Sequence, residues 1–177
     1  MELVCAGLPV IAFLMTGLSA CSASKVDRDS LAARGLIDES APVKATAQVV
    51  IQAPPTKIWG LLTNIKDWSR WQPDISPVAI EAAPAVPVPF IWSTGGMTIH
   101  STIRLMNADR TIGWTGRAFH IHAIHLWTLS PQPDGRVLVE TRESMDGWLV
   151  DRFYSSRELQ ETDTKWLEYL KKAAEAG

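Results

Sequence analysis

Along this chain the spacing of apolar positions changes period several times, and each change marks an element. "TAQVVIQAPP" alternates around Val49 to Ile51 and stops at Pro54-Pro55, which predicts a strand and then a proline-opened helix. In "PTKIWGLLTNI", Ile58, Leu61, Leu62 and Ile65 recur at helical spacing. "KDWSRWQPDI" predicts a second short helix carrying Trp68 and Trp71, ended by Pro73. "SPVAIEAAPAVPVPFIW" reads as a strand broken by prolines, which fits an edge strand and a loop. Strand-like runs follow at 90–93, 97–106, 111–118, 121–129 and 136–145, separated by turn residues such as Gly95-Gly96. The closing "SSRELQETDTKWLEYLKKAAEAG" repeats apolar positions at Leu159, Trp166, Leu170 and Ala173. It predicts a long amphipathic helix, with Ser156 as its cap and Lys171-Lys172 near its negative end. Strand, two helices, about six or seven strands in all and a long helix make an α+β fold, an antiparallel sheet covered by the last helix.

Side chains alternate across a strand, so each run has an inner and an outer set. On the last strand Val137, Val139, Thr141, Glu143 and Met145 form the more apolar set and are expected inside. On 120–129 the inner set is Ile121, Ala123, His125, Trp127 and Leu129. The same rule turns Phe90 and Trp92, then Ile99, Ser101, Ile103 and Leu105, then Ile112 and Trp114 inward.

The N-terminus differs. No Asp, Glu, Lys or Arg occurs between Leu3 and Lys25, and the stretch ends in Leu18-Ser19-Ala20-Cys21. That tetrad resembles the bacterial lipobox, and the resemblance implies acylation of Cys21. Ser22 after it implies outer-membrane sorting, although Met1-Glu2 departs from the basic opening of a signal peptide. The alternative is an uncleaved transmembrane anchor. Either way residues 1–20 are expected to act as signal or anchor, 21–44 as a flexible tether with one helical turn near Leu31 to Leu36, and 45–177 as the folded domain, held at the cell envelope.

Composition narrows the chemistry. The net charge of -2 and the lack of a basic patch argue against nucleic acid as a partner. Both cysteines, Cys5 and Cys21, precede the domain, so the domain has no disulfide and no thiolate metal site. Three of the four histidines crowd into "HIHAIHLW", but alternation puts His120 and His122 on one face and His125 on the other. A metal site needs at least a third protein ligand, so no metal and no cofactor are expected.

The order of these segments resembles the SRPBCC superfamily, also called START-like or Bet v 1-like, and within it the polyketide cyclase/dehydrase and lipid-transport branch. The likeness runs from Ala47 to about Ala174 and rests on "VVIQAPPTKIWGLLTNIKDWSRWQPDI", Phe90-x-Trp92, "MTIHSTI", "IGWTG", "HLWTLSPQPDGRVLVETRESMDG" and the Trp166-Leu167-x-x-Leu170-Lys171 helix. It implies a helix-grip fold, a curved sheet wrapped around the long helix with a deep apolar cavity between them. The inner faces then supply the lining: Phe90, Trp92, Ile99, Ser101, Ile103, Trp114, His125, Trp127, Val139, Thr141 and Glu143, closed by Trp166 and Leu170.

Eight tryptophans and few polar groups suit an amphipathic ligand. The expected function is therefore membrane-tethered binding or transport of a hydrophobic small molecule or lipid. The alternative is a cyclase/dehydratase-like enzyme in which His125 and Glu143 transfer protons. A recognition loop at "PVAIEAAPAVPVPF" is a weaker third reading.

Overall fold

The structure, a computed structural model, describes residues 26–176; the apolar leader and the Leu18–Cys21 tetrad lie outside the described residues. No helix among the described residues is long and apolar enough to cross a membrane. The elements run α1 (Arg28–Ala33), β1 (Val43–Ile51), α2 (Pro55–Thr63), a 3-10 helix (Ile65–Arg70), β2 (Pro89–Thr94), β3 (Met97–Asn107), β4 (Thr111–Ala118), β5 (Ile121–Pro131), β6 (Val137–Gly147), α3 (Val150–Phe153) and α4 (Ser156–Glu175). The six strands form one antiparallel sheet in the order β1-β6-β5-β4-β3-β2. The curved sheet, two short helices after β1 and the long last helix make the helix-grip fold.

Local chemistry explains the helix ends. Pro55 opens α2, where its missing N–H is no loss. Ser155, not Ser156, caps α4. Its Oγ accepts the Glu158 N–H at 3.2 Å, and its own N–H donates to Glu158 Oε2 at 2.8 Å. Ser156 instead accepts the Lys44 N–H at 3.0 Å and ties α4 to β1. The buried face of α4 is Leu159, Asp163, Trp166, Leu167, Leu170 and Ala174, so Ala174 replaces Ala173 in the apolar repeat and an aspartate joins it.

The core lies between sheet and α4 and is built around Trp68, which is fully buried. Its ring sits 5.4 to 6.1 Å from those of Phe90, Trp92, Trp114 and Trp166. One departure from strict alternation occurs in β3, where the register shifts between Ile103 and Leu105. That bulge turns Leu105 to the convex side, beside Gly35, and brings Met106 against the core in its place.

The part of the expected tether that the structure describes packs against the convex face of the sheet. Asp27 caps α1 by accepting the Ser30 N–H at 3.0 Å. Ala32 and Ile37 bury against Ile124 and Leu126 on the convex face of β5. Arg28 pairs with Asp146 of β6, Arg104 of β3 pairs with Asp29 at 2.7 Å, and Arg142 donates to the Gly35 carbonyl at 2.8 Å. The reason is that β5 is apolar on both faces, and its outer face needs a cover. Ala32→Asp therefore costs about 2–4 kcal/mol in urea unfolding, since it drives a charge into this contact. A variant as stable as the wild type would mean that the segment does not hold on to the sheet.

Candidate functional site

Strand register assembles the site. On the inner face Trp114 of β4, His125 of β5, Glu143 of β6 and Ala45 of β1 stand in one row. The neighbouring row holds Gly116, Ala123, Met145 and Val43. Asp163 reaches the first row from α4, where it lies one turn from both Leu159 and Trp166.

His125 Nε2 forms a 2.7 Å hydrogen bond with Thr141 Oγ1, and Nδ1 lies 3.4 Å from Glu143 Oε2. Asp163 Oδ1 is 3.9 Å from His125 Nε2. All three side chains are buried, Asp163 at 1% exposure. Burial drives His125 down to about 3, so the imidazole is neutral near pH 7. Burial, then the charge of Asp163 and a hydrogen bond to it, raises Glu143 well above the ordinary carboxylate range. Burial lifts Asp163 to about 7, against a hydrogen bond from Glu143 that lowers it. With the imidazole neutral, the close approach of His125 to Glu143 is a contact rather than an ion pair. With both carboxyls ionised, neither Asp163 oxygen has a donor among the described residues. Protonation of Glu143 supplies one and leaves the second Asp163 oxygen unpartnered.

These groups face a cavity of about 360 Å³. Of the residues expected to line it, Trp92, Ile99, Ser101, Trp114, His125, Glu143 and Trp166 do so. Phe90, Ile103, Trp127, Val139, Thr141 and Leu170 are buried in the protein's core rather than on the cavity wall. The tryptophan cluster fills the closed end, so the cavity occupies the other end of the sheet. Its mouth is formed by the β2–β3 turn, the ends of β4 and β5, and Phe153-Tyr154. Phe119, Trp148 and Phe153 are exposed there or in the adjoining turns. Ser101 accepts the Trp92 indole N–H at 3.0 Å and holds that ring in the wall.

A larger depression, about 630 Å³, lies where α1 meets β3 and β4, lined by Arg28, His100, Arg117 and His122 among others. His100 and Arg117 are exposed to solvent, and water meets their needs without a ligand. The buried ionisable groups mark the concave cavity as the site. His120 is exposed, and His122 is half-buried by this convex depression, on the face opposite His125.

The sequence reading missed Asp163. Ligand atoms of His125, Glu143 and Asp163 lie within 4.8 Å of one another, the spacing of a metal-binding group. The histidine cluster contributes one member of that set, and the set needs the α4 aspartate to be complete.

Residues 42–173 match the family model described as polyketide cyclase / dehydrase and lipid transport. No curated protein matches. Among solved structures, a hypothetical protein from Helicobacter pylori superposes with a TM-score of 0.70 at 14% identity, covering 77% of this chain and 90% of that one. A START superfamily protein from Mycobacterium smegmatis gives 0.58 at 14% identity, covering 73% and 92%. A putative protein of the dynemicin biosynthetic locus, DynU16, gives 0.61 at 13% identity, covering 76% of this chain and 48% of its own. At these identities the structural likenesses show the fold alone.

Proposed function

The chain belongs to the polyketide cyclase / dehydrase and lipid transport family, and on that premise we propose that its cavity binds one hydrophobic or amphipathic small molecule. The apolar part of the molecule lies against Trp92, Ile99, Trp114 and Trp166, and its polar end meets His125, Glu143 and Asp163. The observation that carries this reading is Asp163, a buried carboxyl facing an apolar cavity with an oxygen that no described residue satisfies. A buried polar atom of this kind is costly unless something else bonds it, and a ligand is placed to do so. In the same reading Cys21 tethers the domain to a membrane of the cell envelope.

A second reading, proton transfer on the bound molecule, draws on the same groups. Asp163 near 7 is suited to act as a base near neutral pH, and Glu143, which burial makes hold its proton more tightly than an ordinary carboxyl, as an acid.

Native mass spectrometry of the purified chain tests these readings together. A co-purifying apolar molecule is expected, and Ala123→Trp, which fills the cavity beside His125, removes it. A bare protein mass from both forms overturns the binding reading. A molecule that changes in mass or chromatographic retention on incubation with the protein supports turnover. The same spectrum reports Cys21, whose maturation would remove residues 1–20 and add a diacylglyceryl group to its sulfur.

A further inference from the structure

We propose that the polar end of the ligand is an ammonium group, so that the cavity takes an amphiphilic amine. The proposal rests on the binding reading above and names its ligand class.

Charge is the first argument. The ionisable groups facing the inner end of the cavity are Glu143 from β6, Asp163 from α4 and neutral His125 from β5, with Tyr154 beyond α3. The one basic side chain among the lining residues, Arg117, is exposed at the mouth. Two acids outside the cavity show the usual pairing, Asp146 with Arg28 and Asp29 with Arg104. The two acids lining the cavity have none among the described residues, although buried charges are ordinarily paired. An anionic head would meet these carboxyls with repulsion. A cationic head would let Asp163 ionise against a partner.

Hydrogen-bond count is the second. An ammonium offers three donors and no acceptor. The site offers the unpartnered Asp163 oxygen, a Glu143 oxygen and, when Nε2–H is given to Thr141, the Nδ1 lone pair of His125. A hydroxyl has one donor and would leave most of these unused.

The walls are the third. Trp166 lies beside Asp163 on α4, 5.7 Å from the Trp92 ring and 5.9 Å from the His125 ring, and Trp114 is 4.9 Å from His125. Aromatic faces attract cations and lose nothing to them in shape.

Three probes with one tail decide the matter: octylamine, octanol and octanoate, titrated into the full chain near neutral pH with a chelator present. Quenching of the cavity tryptophans reports binding. Octylamine is expected to bind at least about tenfold more tightly than either of the others. Asp163→Asn is expected to erase that preference, lowering octylamine affinity at least about tenfold more than it lowers octanol affinity. The proposal is overturned if octanol or octanoate binds the wild type as well as the amine does. It is also overturned if the preference survives Asp163→Asn, or if that change weakens all three alike. Octanol binding without amine preference leaves the cavity reading standing, whereas failure of all three probes overturns both.

Discussion

Trp68→Ala is expected to destabilise the fold by about 3–5 kcal/mol. The indole is fully buried and is the hub on which the closed end of the sheet converges. Phe90 and Trp92 of β2, Trp114 of β4 and Trp166 of α4 all meet its ring, three of them edge-on. These rings cannot collapse inward, because each is fixed by its own strand or helix. The cavity left behind therefore persists, and a persistent cavity is what makes such a truncation expensive. The indole N–H also donates to the Leu62 carbonyl at 3.0 Å, and its loss leaves the end of α2 without that bond. Urea unfolding at neutral pH measures the cost. A loss below about 1 kcal/mol would mean that the surrounding rings repack, and that the cluster is not the rigid floor described here.

Asp163→Asn is expected to do the reverse above neutral pH. In the unfolded chain an aspartate ionises near 3.8, whereas the folded protein holds the Asp163 proton up to about 7. Between those values the folded form binds more protons, so stability falls as pH rises. The full cost, on the order of 4 kcal/mol, is present above about pH 7 and absent below about pH 4. Glu143, also raised, adds a fall of the same sign. His125 works oppositely: its folded value of about 3 lies below the ordinary 6.5, so its contribution is lost as pH falls between them. Asparagine removes the Asp163 slope and, with the charge gone, part of the rise of Glu143 as well. Melting curves should show the variant clearly more stable near pH 8 and indistinguishable near pH 4. An equal offset at every pH would mean that Asp163 titrates as an ordinary aspartate. Such a cost, retained in the wild type, is what a site kept for binding rather than for stability looks like.

The strands were legible because most of them keep strict alternation. The positions of His125, Glu143 and Ser101 on one face followed from counting by twos. Counting failed at Leu105, where a bulge adds a residue without any proline or glycine to announce it. Asp163 was passed over because a charge on an amphipathic helix is ordinarily on the solvated face. Its spacing, four after Leu159 and three before Trp166, put it on the buried one. The six-residue α1 is too short to show a helical period. The signal for it lay elsewhere, in Ile124 and Leu126, apolar residues on a face that alternation had assigned to the outside. The expected tether was thus read from its own polar composition, while the reason it packs is written in the strand that it covers.

That packing has a mechanical consequence. α1 contacts β3, β4 and β5, and Arg28 extends the attachment to β6. Tension entering the fold at residue 26 therefore reaches this bolt before it reaches β1. Strand β1 is an edge strand, paired only with β6, and a direct pull from Val43 would unzip it one hydrogen bond at a time. With the load shared among four strands at once, α1 acts as a strain relief, and the β1–β6 hydrogen bonds beside Glu143 are not the first to part when the N-terminus is tugged.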